Sequence, residues 1–489
     1  MDETFPTELP VPETITQWLL EVSNSSSLEE SLQSLIGIAK TDDGRADLAG
    51  KNIVTVTLQL CRALSHSSHS QILLLSFKLL RNLCAGELVN QNTFLEQGGV
   101  GIVSNIIASI KCLSDLDNQV IRFGLQLLGN FALGGGEHRY AVWKELFPNK
   151  LIKIAAIHCM EIIDPLCMVI YTCTEGTDGL VAGLLTDQGF VIILEVIKTM
   201  STVGFKEHWI KLLLSKICLE GSHFASIFSK LYPVSSNANC GDYFADPQAF
   251  LLSILSEILN ERIEDIAVDS KFPLHVLEIL RTAAKAIDSV PRRESGLPTG
   301  HATIDVLGYS LIILRDICAC DHGLKKVQEN SVDAMEILVS SGLIELILSL
   351  LKALEPPSTI KKGMKQSKTR DEGSCCSNSS KQCPYKGFRR DIVGIVGNCA
   401  YRRKSVQDKI REENGILLLL QQCVSDEDNP YLREWGIWSI RNLLEGNAEN
   451  QRLVSDLEMQ ETVDVPELTG LGLKVEIDPQ TRRAKLVNM

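Results

Sequence analysis

The chain writes one phrase twice. Residues 79–95 read LLRNLCAGELVNQNTFL and residues 435–454 read WGIWSIRNLLEGNAENQRLV. Each has Arg-Asn-Leu, a Gly three residues after that Leu, and Asn-Gln four residues after the Gly. Every matched pair lies 360 positions apart: Arg81 and Arg441, Asn82 and Asn442, Gly86 and Gly446, Asn90 and Asn450, Gln91 and Gln451. Such self-similarity is the mark of a repeat array and restricts the fold more than composition does. Further copies follow from it. LLGNFALGGGEHRY puts Asn130 48 residues after Asn82, with Gly134 and His138 in the Gly86 and Asn90 positions. IVGNCAYRRKSVQDKI puts Asn398 44 residues before Asn442, with Val406-Gln407 in register with Asn450-Gln451. LIILRDICACDHGLKKV is a decayed copy with Asp316 in the Asn position. A period in the forties is that of armadillo and HEAT units.

A second element recurs between these copies. EQGGVGIVSNIIASI, TDQGFVIILEVIKTM, VSSGLIELILSLL and EENGILLLLQQC set polar residues and a Gly (Gly99, Gly189, Gly342, Gly415) before an apolar run. A Gly there suits a positive-φ turn between helices. One unit therefore reads as a helix bearing the Asn, a turn, a short polar helix, the Gly turn and a long apolar helix. The expected fold is all-α, an armadillo/HEAT-like helical repeat superhelix (α-solenoid) of roughly eight to ten units.

Composition agrees. The 489 residues are 45% hydrophobic and 22% charged, as in a folded protein, and exceed one compact core. A net charge of −13 argues against a general nucleic-acid or anionic-membrane binder. The fifteen cysteines sit largely in apolar runs and read as reduced core thiols. The acidic, proline-bearing start MDETFPTELPVPET does not read as a signal segment, and no uncharged apolar stretch of about 18 residues occurs. A cytoplasmic protein without membrane insertion is expected.

The chain then divides as follows: an N-terminal segment 1–27; repeats over 28–354 with exposed loops near 232–247 and 288–300; a disordered basic insertion 355–387; C-terminal repeats 388–458; and a tail 459–489. The block 388–458 resembles the C-terminal domain of the ataxin-ten family, through GNCAYRRKSVQD, NGILLLLQQC and DEDNPYLREWGIWSIRNLLEGN followed by NQ. The resemblance implies an armadillo-repeat, non-enzymatic scaffold without cofactors, associated with neuronal survival, neurite outgrowth, cytokinesis and cilium formation. It further implies, as partners, a G-protein β subunit, O-linked GlcNAc transferase (O-GlcNAc transferase) and a nephrocystin-type ciliary protein, with possible homo-oligomer formation. Cytoplasmic and perinuclear placement, with centrosome, cilium basal body or midbody, goes with that family.

Candidate site residues divide between binding and architecture. In armadillo peptide receptors an Asn on the stacked helices meets the peptide backbone, with a Trp one turn before it, the spacing of Trp438 and Asn442. The ladder that such a groove needs is missing, because Lys78, Gln126 and Gly394 precede Asn82, Asn130 and Asn398 at that spacing. The favoured reading makes the Asn a helix-end hydrogen-bonding residue, with a peptide-groove receptor as the alternative. Two Arg-Arg-x-Ser matches, ending at Ser295 and Ser405, are candidate phosphosites. Cys375, Cys376 and Cys383 have neither the His nor the spacing of a zinc site, and His66 and His69 alone make none. No phosphate-binding loop, His-Glu-x-x-His or nucleophile elbow is present, so no enzyme is expected.

Overall fold

The computed structural model describes residues 25–64, 70–111, 114–176, 178–205, 208–233, 243–287, 290, 292–320, 334–357, 359–360, 382–457, 473–477 and 484–488. Residues 1–24, the His66/His69 pair, Cys375, Cys376 and the basic run of the insertion lie outside these. The chain forms two compact units, Met1–Phe272 and Pro273–Met489.

In the first unit the helices succeed one another in threes. They are α1 (Ser25–Ile38), α2 (Asp42–Gly50) and α3 (Ile53–Leu64); α4 (Ser70–Leu83), α5 (Leu88–Glu96) and α6 (Gly99–Ser109); and α7 (Asp115–Ala132), α8 (Gly136–Leu146) and α9 (Asn149–Ala155). Then come α10 (Met160–Thr174), α11 (Asp178–Leu184) and α12 (Asp187–Val203), followed by α13 (Trp209–Leu214), a π turn (Ser215–Leu219), α14 (Phe224–Lys230) and α15 (Asp246–Arg262). The first helices of successive threes stack on one another: α1 on α4, α4 on α7 and α7 on α10. This inner layer is why α4 is apolar nearly all round, with Ile72 to Phe77, Leu79, Leu80 and Leu83 buried. The short α5 instead exposes Leu88 and Val89 and buries Asn90, Gln91 and Phe94.

The second unit holds α16 (Phe272–Ala286, its first residue at the boundary), α17 (Ala302–Ala319), α18 (Ala334–Ser340) and α19 (Leu343–Ala353). It continues with α20 (Phe388–Ala400), α21 (Lys404–Glu412), α22 (Gly415–Leu420), α23 (Leu432–Leu444) and α24 (Ala448–Ser455). Here α17 stacks on α20 and α20 on α23. Close approach depends on Gly397, where a Cβ would stand 2.4 Å from Ser439 Oγ and 3.2 Å from Ser439 Cα. Ser439 in turn donates to the Val393 carbonyl at 3.0 Å. Both units are thus all-α repeat stacks of armadillo-like helix triplets. The tail departs from this with one antiparallel hairpin, β1 (Leu473–Ile477) on β2 (Ala484–Asn488), Val475 opposite Leu486.

Three local expectations change. Of the four unit glycines, only Gly342 itself has positive φ; beside Gly99 and Gly415 that role falls to Gly98 and Asn414. Gly99 and Gly415 are helical and instead lack room for a Cβ, which would stand 2.7 Å from Phe94 and from Ile410. Gly189 is also helical, with Leu184 and Gly183 backbone atoms 2.4 Å from such a Cβ. The ends of the expected disordered insertion 355–387 are ordered: the Glu355 carbonyl accepts from Arg389 Nη2 at 2.6 Å, and Tyr385 is buried. Finally, the loop expected near 288–300 is exposed at 292–296, as expected, but its described end is pinned. Asp305 accepts from the Thr299 and Gly300 amides, and Leu297 packs on Gly308.

Candidate interaction site

The repeated phrase is a hydrogen-bonded joint between stacked helices. The last carbonyls of any α-helix lack partners within it, and burial makes an unpaired carbonyl costly. Here the Asn-Gln pair of the following short helix supplies the donors. Asn90 Nδ2 donates to the Leu83 carbonyl at 2.9 Å and Asn450 Nδ2 to that of Leu443 at 2.8 Å. Gln91, Gln407 and Gln451 donate to the Cys84, Ala400 and Leu444 carbonyls, each two residues past the Asn position.

The Asn itself reaches backwards. Asn130 Nδ2 donates to the Arg81 carbonyl at 3.0 Å, Asn398 to that of Arg315 at 2.9 Å, and Asn442 to that of Gly397 at 3.0 Å. Each acceptor stands one residue before the Asn position of the preceding stacked helix. The Gln reaches forwards: Gln91 Nε2 also donates to the Asn130 carbonyl at 3.0 Å, and Gln407 Nε2 to that of Asn442 at 2.8 Å. Asn82, at the other end of the series, accepts from Arg81 through Oδ1. Asp316 does the same from Arg315, which explains a carboxylate in an amide's place. His138, in the Asn90 position, meets Phe131 in a tilted ring contact at 4.9 Å, and burial holds its imidazole below the usual range.

Asn442 is 2% exposed, and its Nδ2 already serves the neighbouring helix. Asn398 is likewise buried. At Asn398 and Asn442 the amide donors are therefore spent inside the stack, whereas Asn82 and Asn130 are partly exposed. The tryptophans differ. Trp435 and Trp438 are half-buried, meet edge to face at 5.4 Å, and form one wall of a cleft of about 470 Å³ in the second unit. Tyr401, Arg403, Arg315, Asp316 and Cys318 also line the cleft.

Beneath the cleft runs an ionic chain. Fully buried Asp391 accepts from Arg315 at 3.2 Å and Arg390 at 2.9 Å through Oδ1, and from the Tyr385 hydroxyl at 2.9 Å through Oδ2. Burial, reinforced by Asp391, drives the Tyr385 hydroxyl well above its ordinary range. Burial also raises the Asp316 carboxyl, against the pull of Arg315, and its Oδ2 finds no hydrogen-bond partner. Sequence reasoning placed Trp438, Asn398 and Asp316 in repeat positions but did not bring Arg315 and Asp316 to the cleft of the tryptophans. Their signal was the decayed repeat copy itself.

The two serines are placed differently. Ser295 is exposed on the pinned loop, and Ser405 is exposed on the first turn of α21. The described cysteines are all free thiols. Among the described residues no cluster of three or more His, Cys, Asp or Glu is placed to hold a metal, and no helix is long and apolar enough to cross a membrane.

Comparison with known proteins agrees with the C-terminal block. Residues 388–487 match the family described as the Spinocerebellar ataxia type 10 protein domain, which runs from the first residue of α20 into β2. Along most of its length the chain is 24% identical to Ataxin-10 of Bos taurus over 470 residues, covering 91% of this chain and 92% of that one. It is 24% identical to Ataxin-10 of Homo sapiens over 472 residues, covering 91% and 92%. The Ataxin-10 homolog of Dictyostelium discoideum is 42% identical over 92 residues, 19% of this chain and 15% of that one. Among solved structures, a designed armadillo repeat protein in complex with the peptide (KR)4 aligns at TM-score 0.29 and 15% identity, covering 50% of this chain and 99% of that one. Domain match and near full-length similarity together make this chain similar to the ataxin-10 proteins, in its C-terminal block and along most of its length.

Proposed function

We propose that the chain is a non-enzymatic protein-interaction scaffold and that the cleft of Trp435 and Trp438 is one of its partner contacts. The observation that carries this is a pair of large aromatic side chains left half-exposed where every neighbouring apolar position of α20 is buried. Aromatic side chains in a partly desolvated recess are where binding energy concentrates. Arg315 and Asp316, which line it, supply charge for orientation. Similarity to the ataxin-10 proteins supports the finer reading: roles in neuronal survival, neurite outgrowth, cytokinesis and cilium formation, from a cytoplasmic and perinuclear location. It supports, as partners, a G-protein β subunit, O-GlcNAc transferase and a nephrocystin-type protein, with self-association.

The test is proximity labelling in cells with the full chain and with a Trp435→Ala, Trp438→Ala double variant of matched far-UV circular dichroism. A defined subset of labelled proteins is expected to disappear. An unchanged set would remove the cleft from the interaction surface.

A further inference from the structure

The loop 292–295 and the strap 382–387 fasten to each other like a buckle. The Arg293 amide donates to the Pro384 carbonyl at 2.9 Å, and the Lys386 amide donates to the Ser295 carbonyl at 3.0 Å. The Arg292 guanidinium closes the same buckle from the side, pairing with Asp428 at 2.5 Å and donating to Gln382 Oε1 at 3.2 Å. The strap is itself anchored by Tyr385 on Asp391.

Arg292-Arg293-Glu294-Ser295 is the substrate pattern of a basophilic protein kinase. Such an enzyme reads the two guanidiniums with its own carboxylates and needs the peptide backbone free. Ser295 is exposed, so its hydroxyl is reachable. The recognition elements are not free: Asp428 holds Arg292, and the backbone at 293 and 295 is paired with the strap. We propose that Ser295 is a phosphorylation site gated by this buckle, and that a kinase reads it only when the strap lifts. In the reaction Ser295 Oγ attacks the γ-phosphorus of a nucleoside triphosphate. The bond to the β-phosphate oxygen breaks, the nucleoside diphosphate leaves, and the hydroxyl proton passes to the kinase's base. Ser405 offers a contrast, since the Arg403 carbonyl already accepts from the Val406 and Gln407 amides in regular helix.

The test uses the full chain carrying Ser405→Ala, the catalytic subunit of cAMP-dependent protein kinase and ATP, with phosphate at Ser295 counted by mass spectrometry. A free peptide of residues 288–300 is the ungated reference, and Ser295→Ala is the blank. Two backbone hydrogen bonds hold the motif closed, so the chain is expected to react about ten-fold or more slowly than the peptide. Asp428→Asn frees Arg292 from a partly exposed pair, and is expected to speed the chain by about two- to five-fold. Gln382→Ala, with circular dichroism on both variants, guards against a folding artefact by loosening the same guanidinium from a different side. Equal rates for chain and peptide, no response to either variant, or an unreactive peptide would each overturn the proposal.

Discussion

Replacing Asn442 with Ala tests whether the repeated phrase is a joint or a binding row. The substitution removes the donor to the carbonyl of Gly397, which lies in the last turn of α20, where helix carbonyls lack an i+4 amide within the helix. Leaving a buried carbonyl unpaired costs about 1–3 kcal/mol, and the lost packing brings the total to about 2–4 kcal/mol. A repeat stack need not unfold in one step, so amide hydrogen exchange over 388–444 is a better measure than a single melting curve. At about 1.4 kcal/mol per decade, protection there should fall by about thirty- to several-hundred-fold. Asn442→Asp sharpens the test by turning a second oxygen towards the same carbonyl. Burial raises the new carboxyl's folded pKa above its unfolded value of about 3.9, so its deficit relative to wild type is smallest below that pH. The deficit widens as pH rises, because the ionised form is unwelcome at that site. Unchanged protection in Asn442→Ala, together with loss of a bound partner, would refute the joint and restore the Asn to a binding role.

Other outcomes follow from features beside the joint. Tyr385→Phe leaves Asp391 Oδ2 without its donor and should cost about 1.5–3 kcal/mol in urea unfolding of the second unit, whereas a solvated strap would lose nothing. Burial pushes the Cys61, Cys173 and Cys218 thiols up to about 12, above an unfolded value near 9. Folded protein then keeps protons that the unfolded chain has lost. Stability should decline from about pH 9 upwards, by up to about 1.4 kcal/mol per pH unit for each thiol. A flat denaturation midpoint between pH 8 and 11 would contradict this. Replacing residues 361–381 with a short Gly-Ser linker should leave thermal stability within about 1 kcal/mol, because Glu355 and the 382–387 strap hold both ends independently. A large loss would show that the segment contributes packing of its own.

The repeat was legible because a hydrogen-bonded joint tolerates few side chains: Asn, Gln and the Gly between them keep their spacing where the apolar positions drift. The direction of the Asn bond was not. Spacing along one helix shows which residues share a face, but it cannot show that Asn398 serves Arg315, eighty-three residues earlier. Tyr385 was hidden for a different reason. It is one aromatic residue in a long polar stretch, and any average over that stretch reads as unstructured. The glycines misled by a single position, since Gly98 and Asn414 carry the positive φ while their neighbours serve close packing. Alternation in LKVEI was a visible sign of β1, but it was outweighed by the helical pattern elsewhere.

The triplet of α20, α21 and α22 carries both halves of the joint, Asn398 that points back and Gln407 that points forward. A triplet of that kind can therefore be added beside its like and the cut ends will still mate. Adding one residue between Asn398 and Gln407 would instead turn the Gln away from both the Ala400 and Asn442 carbonyls. Length change is thus confined to the stretches between phrases, where 361–381 already lies. Gln451, bonded to Leu444 and exposed, matches Gln407 and meets no forward acceptor among the described residues, so a further triplet could be grafted there in a lengthened array.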